Sequence, residues 1–279
     1  MSTPAHAEEV VLEAGRADRH YWRDLWRYRE LFQVLAWRDI AIRYKQTAIG
    51  VAWAVVRPVL TMAIFTVVFG RLAKLPSDGG APYPLLVLAG MLPWTFASSA
   101  LSDASGSLVG NANLIGKVYF PRLIVPAAAI VAGFVDFAVG LVILAVMMAA
   151  YRFAPDWRVL ALPAFVLLAL LASLGPSLWI AALNVRYRDF RYVIPFLVQF
   201  GLYVSPVGFS SNVVPQKWRL LYSLNPMVGV IDGFRWCLLG GCSPLYLPGL
   251  AIGVLVTAIF LWLGLRQFRR LERTFADLI

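Results

Sequence analysis

The stretch nearest to a chemically competent motif is Gly110–Val118, where two glycines precede a lysine. A phosphate-binding loop needs four residues between its glycines, and a Ser or Thr after the lysine to hold magnesium. Here five residues separate Gly110 from Gly116, and Val118 follows Lys117. The match fails, so this route to ATP hydrolysis is closed. There is no Gly-x-Ser-x-Gly elbow, no His-Glu-x-x-His, and no pair of carboxylates flanking a span to share acid–base work. His6 and His20 are the only histidines and do not supply a His-based metal site. Cys237 and Cys242 read as small buried residues, with a disulfide open if their side of the membrane is oxidising. Catalysis within this chain is not expected.

The remaining chemistry is charge in apolar surroundings. Arg57, followed by Pro58, and Asp136 both fall inside long apolar runs, where charge is costly unless it snorkels, pairs or lines a polar route. Arg57 is a candidate partner for Asp136, and a structural ion pair is the expected role. A proton relay would need a second intramembrane acid, which is lacking. Aromatic side chains are the other candidates: Trp53, Phe65, Phe69, Trp94, Phe96, Phe196, Phe200, Tyr203, Phe209 and Trp236 lie in or near the apolar runs. Lipid contact and interfacial belts account for most such rings. A subset facing a lumen would stack on the flat C–H faces of sugar rings, as aromatic platforms do on nucleic-acid bases.

These side chains are positioned by membrane-spanning elements. The chain is 60% hydrophobic and 14% charged, against about 25% charged in a soluble domain. No charge occurs between Asp78 and Asp103, Arg158 and Arg186, Arg191 and Lys217, or Arg235 and Arg266. About 20 apolar residues cross the hydrocarbon as a helix. Spans are therefore predicted near 50–70, 84–102, 123–150, 159–183, 192–210 and 245–265. All Lys and Arg except Arg71, Lys74, Arg152, Arg158, Lys217, Arg219 and Arg235 then fall on one side. Basic excess marks the cytoplasmic face, so both termini are expected there, with an even number of crossings. The net charge of +10 is accounted for by this asymmetry rather than by nucleic acid. The first residues are polar and acidic (Glu8, Glu9, Glu13), unlike a cleaved signal peptide.

The predicted fold is an all-α polytopic membrane protein with six transmembrane helices. Residues 1–20 form a tail, 21–45 an amphipathic interface helix, and 46–279 the transmembrane domain. In the amphipathic segment Tyr21, Leu25, Tyr28, Phe32 and Leu35 share one stripe, with Trp22, Trp26 and Trp37 nearby. Such a helix suits the inner leaflet surface or the face of a soluble subunit. Before the last span, 211–243 reads as a re-entrant helical hairpin. Its run Leu220–Ile231 is too short to cross, and Asn225–Pro226 breaks it ahead of Asp232 and Arg235. Gly229/Gly233 and Gly249/Gly253 have the spacing that lets helices approach closely.

Several motifs, in order, then resemble one family. Arg38-Asp39-Ile40-x-x-Arg43-Tyr44-Lys45-x-x-x-x-Gly50-x-x-Trp53, then Arg57-Pro58, resembles the entrance of the permease subunit of polysaccharide-exporting ATP-binding-cassette transporters. Lys117-Val118-Tyr119-Phe120-Pro121-Arg122 with Pro126, Asn184-Val185-Arg186-Tyr187-Arg188-Asp189, Ser205-Pro206-Val207 and Leu224-Asn225-Pro226-Met227 resemble its later turns and loops. The resemblance runs from about Leu31 to the C-terminus.

The resemblance implies a homodimer in the bacterial inner membrane, paired with two copies of a separate ATPase subunit that holds ATP and magnesium. This chain itself would carry no cofactor. The implied cargo is a polyprenyl-diphosphate-linked polysaccharide, such as O-antigen, capsule or teichoic acid. In that setting Arg38, Arg43, Lys45 and Arg57 are candidates for gathering the diphosphate, through the phosphate-matching fork of arginine. Trp53, Phe65, Trp94, Phe200, Tyr203 and Phe209 are candidate channel-lining rings. The loop 103–122 with Gly110, Asn113, Lys117 and Tyr119, together with Arg188, is the candidate coupling surface for the ATPase. Asn225, Pro226, Asp232 and Arg235 are the candidate outer gate. A secondary transporter or a membrane-embedded glycan or lipid transferase is the alternative. Against it stand the lack of an internal repeat and the few, scattered acids.

Overall fold

The computed structural model describes residues 21–45, 50–187, 189–240, 242–272 and 274–275. The 1–20 tail lies outside them. The described chain forms helices and turns with no strand: α1 (Tyr21–Arg27), α2 (Arg29–Lys45), α3 (Gly50–Phe65), α4 (Tyr83–Gly110), α5 (Ala112–Lys117), α6 (Ile124–Ala150), α7 (Leu162–Arg186), α8 (Phe190–Val204), α9 (Gln216–Tyr222), α10 (Pro226–Leu238) and α11 (Leu247–Glu272). A wider π-helical turn, Thr66–Leu72, continues α3, and a 3-10 turn, Trp157–Ala161, leads into α7.

Prolines punctuate this order where their missing N–H costs nothing, in the first turns of α4, α7 and α10. Asn225 caps α10 by accepting from the Met227 N–H at 3.0 Å. Asn225–Pro226 therefore starts a helix rather than interrupting one, because a proline at the first helical position removes a donor that had no partner. The predicted hairpin resolves into α9 and α10. The predicted 103–122 loop is also shorter than read, since α4 stays helical to Gly110 and only the short α5 and its flanks form the turn.

Among the described residues, five helices are long and apolar enough to cross a membrane: Ala52–Leu72, Tyr83–Gly110, Ile124–Ala150, Trp157–Arg186 and Leu247–Glu272. The predicted fifth span, 192–210, is the exception. Its helix, α8, has 15 residues, about 22 Å at 1.5 Å per residue, against a hydrocarbon core of roughly 30 Å. Hydropathy counted the apolar residues 205–210 as helix, but their backbone is irregular.

α4 is the centre of the bundle. Leu85 to Leu92 are buried without a break, and α6, α7, α8 and α10 pack around them. A second core at the other end gathers Tyr21, Leu35 and Ala36 with Leu108, Phe120, Ile124, Leu178, Phe268 and Phe275. The two ends of the described chain therefore meet on one side. The predicted stripe is that contact, with Leu25, Tyr28 and Phe32 packed at its edge. In contrast α3 is nearly bare, and its Val56, Leu60, Ile64 and Val67 are exposed.

A close, backbone-to-backbone helix approach lies outside the predicted glycine pairs. It joins α7 to α11 at Gly175 and Gly264. A Cβ on Gly264 would collide with the Gly175 carbonyl, and one on Gly175 would lie 2.6 Å from the Leu261 nitrogen. The obstacle is backbone on both sides, so neither helix can yield by a rotamer change. Gly264→Val is expected to cost about 1–3 kcal/mol of stability, read as a lower melting temperature of detergent-purified protein. Gly106→Ala, with nothing near its added methyl, should melt like the parent.

Candidate functional site

On the side where the ends of the described chain meet, a single guanidinium ties three helices together. Arg43, near the end of α2, donates through Nη2 to Asp103 of α4 and through Nη1 to Asp136 of α6, both at 2.5 Å. The Tyr44 hydroxyl also donates to Asp136. The predicted Arg57–Asp136 pair is thus replaced. Both residues sit in apolar runs, but Arg57 projects from the bare flank of α3 and is exposed, while α2 packs along α6 and delivers Arg43 to the carboxylate. Burial and then the Asp136 carboxylate push the Tyr44 hydroxyl up to about 12, so it remains a donor at any physiological pH. Burial opposes the Arg43 charge, but Asp103 and Asp136 outweigh it and raise its pKa. Asp136 is held between two donors, which leaves it badly placed to relay protons.

Of the four basic residues predicted to gather phosphate, two are engaged within the chain. Arg38 pairs with its neighbour Asp39 at 2.7 Å, and Arg43 serves the cluster above. Lys45 and Arg57 remain exposed. On the same end Gly110, Asn113, Lys117 and Tyr119 lie exposed around α5, anchored from beneath by buried Ile115 and Phe120. Arg188 lies outside the described residues.

The opposite end is organised by Arg235 of α10, which is fully buried. A buried charge is tolerated only with its donors satisfied. Nε donates to the Leu86 carbonyl at 3.2 Å, Nη1 to Phe209 at 2.8 Å and Nη2 to Val207 at 3.0 Å. This explains how 205–210 stays irregular inside an apolar bundle, where unpaired carbonyls are expensive. Tyr83 adds a hydroxyl to the Gly208 carbonyl at 2.8 Å, and Asn225 reaches the Ser205 hydroxyl at 2.9 Å. Gly90 makes room: a Cβ there would stand 2.6 Å from Arg235 Nη2. Asp232 lies one turn before Arg235, buried beside a cavity of about 20 Å³. Asp78, which the sequence reading passed over, accepts from Ser210 and Ser243 at 2.6 Å and from Asn212 at 3.0 Å. All four predicted gate residues thus belong to one packed unit. Asp78 was legible only as an acid beside two glycines, a pattern common to turns.

The predicted aromatic residues divide. Phe65 and Phe209 flank Phe69, with ring centroids 5.5 and 6.4 Å away, and Trp94 rests against Gly201. Trp53, Phe200 and Tyr203 are exposed. Phe200 stacks on Phe196 at 6.1 Å, with an interplanar angle of 17°. With Tyr192 and Tyr203 they make an exposed file along one face of α8. Tyr192 was missed, although the spacing 192, 196, 200, 203 carries the helical period.

Among the described residues, helices long and apolar enough to cross a membrane pack around the central α4. Residues 30–239 match the ABC-2 type transporter family, and the chain belongs to it. It is similar to the O-antigen export system permease protein RfbA of Myxococcus xanthus, 26% identical over 261 residues, covering 92% of this chain and 98% of that one. A relative of the same name from Klebsiella pneumoniae is 24% identical, covering 90% and 95% respectively. The inner membrane transport permease YadH of Escherichia coli K12 is 28% identical over 66% of this chain and 75% of its own length.

Two outcomes test this geometry. Arg43→Ala leaves two carboxylates facing each other and should cost about 1–3 kcal/mol, since the pair is half-exposed rather than sealed. Arg57→Ala should stay within about 0.5 kcal/mol of the parent; thermal unfolding of the two purified variants compares them. Arg235→Met strands three carbonyls and should convert 205–210 into a protease-sensitive segment, seen by limited proteolysis in detergent.

Proposed function

We propose that this chain is the channel-forming membrane subunit of an ATP-driven exporter of lipid-linked polysaccharide. Two copies enclose the conduit, and two copies of a separate ATPase subunit, which bind ATP and magnesium, drive it. Family membership and the O-antigen export permeases among its relatives support the class. The observation that carries the substrate is the file Tyr192, Phe196, Phe200 and Tyr203. A lipid-facing helix is ordinarily aliphatic in its middle, with rings at its ends. Exposed rings all along α8 instead offer repeated, weak stacking positions for successive sugars, which suits a polymer that must slide.

The bare flank of α3 is the surface the partner copy covers, and the ring-bearing face of α8 is left turned to the conduit between the two copies. Six crossings follow in this reading: α8 together with 205–210 makes the fifth, which brings both termini to the cytoplasmic side of the inner membrane. Lys45 and Arg57, without a carboxylate partner among the described residues, gather the diphosphate of the carrier lipid. The α5 turn receives the ATPase stroke, and α2, gripped by Arg43, passes it to α4 and α6. The unit built on Arg235 and Asp78, with α9 and α10 re-entering from outside, closes the far mouth.

Phe196→Ala combined with Phe200→Ala should lower polysaccharide export several-fold in cells carrying the cognate ATPase, with membrane levels unchanged. Arg57→Ala should lower export while insertion and dimerisation stay intact. Normal export by both variants removes the conduit reading, and so does purification of the chain as a lone protomer that never retains an ATPase.

A further inference from the structure

A cavity of about 1050 Å³ opens on the side where the ends of the described chain meet, between α1, the 115–122 turn and the last turns of α11. None of its lining comes from α3 or α8, so it lies apart from the conduit. We propose that it binds the headgroup of an anionic membrane phospholipid as a resident ligand.

Charge is the first argument. Lys117, Arg122, Arg266, Arg269 and Arg270 line the cavity against only Asp24 and Glu272. Glu272 is already engaged: its Oε1 accepts from the Arg122 N–H at 2.7 Å, and its carbonyl accepts from the Arg122 guanidinium. Lys117, Arg266 and Arg270 are exposed, with no carboxylate partner among the described residues.

The second argument is depth. α11 is uncharged from Leu247 until Arg266, so the cavity begins where the apolar run ends. Trp262, 57% exposed on the cavity wall, has the amphipathic ring that settles at headgroup level. Basic pockets between helices at this depth suit phosphate-bearing headgroups.

Preorganisation is the third. The Arg266 guanidinium lies 5.0 Å over the Trp262 ring and that of Arg269 lies 4.7 Å over Tyr21. Stacking holds these planar forks in place, so less freedom is lost when they bind phosphate. An occupant would brace α1, the turn carrying Lys117 and Tyr119, and α11 against one another. The inference needs only that α11 spans the membrane; it stands whether or not the export reading does.

The test is native mass spectrometry of the full-length protein in detergent, with phosphatidylglycerol and phosphatidylcholine of identical acyl chains offered in turn. Phosphatidylglycerol should be retained selectively. Arg266→Gln with Arg270→Gln should weaken its binding about thirtyfold, while Lys217→Gln, at the opposite end, should change nothing. Equal retention of the two lipids, or undiminished binding by the double variant, overturns the proposal. Displacement of the lipid by millimolar sodium diphosphate would also overturn it, marking a site for the free anion. If the double variant does not fold, the parent decides: its melting temperature should be higher in phosphatidylglycerol nanodiscs than in phosphatidylcholine ones, and no difference refutes the site.

Discussion

A guanidinium cannot stay inside an apolar bundle unless its donors are answered, and Arg235 sets that condition for the whole far end of the molecule. Its three acceptors come from α4 and from the irregular 205–210 segment. That one requirement fixes α10 against the central helix. It also permits a stretch of chain that is not helical at a depth where loose carbonyls are forbidden. Gly90 has no side chain because the guanidinium occupies the space. With an aliphatic side chain at position 235, the carbonyls of Leu86, Val207 and Phe209 would lose these donors and 205–210 its anchor.

Much of this was legible in the sequence. One buried face imposes the helical period, so the stripe Tyr21, Leu25, Tyr28, Phe32 and Leu35 could be read directly, but it packs on the chain's own second core, not on a leaflet or a separate subunit as expected. Asp232 and Arg235 were singled out as candidate gate residues after the apolar run 220–231, and both are buried. The long spans followed from hydropathy for the same reason: length and apolarity are what the hydrocarbon demands.

What was misread depends on distance between helices, which no linear pattern records. Arg57 and Asp136 are opposite charges that both fall in apolar runs, yet Arg57 is exposed on α3 and makes no pair with Asp136. Arg43 arrives instead because α2 packs along α6 for much of its length. Hydropathy cannot separate apolar helix from apolar loop, so 205–210 was counted into a span. Asn225–Pro226 looked like a break because proline interrupts helices, but at the first position it does no harm.

The Arg43 cluster has a mechanical corollary. One side chain grips two carboxylates on two different helices, so α2 cannot tilt without dragging α4 and α6 together or tearing out both ion pairs. The C-terminal end of α2 is therefore keyed to two neighbours at once, and a displacement of that end is shared among three helices.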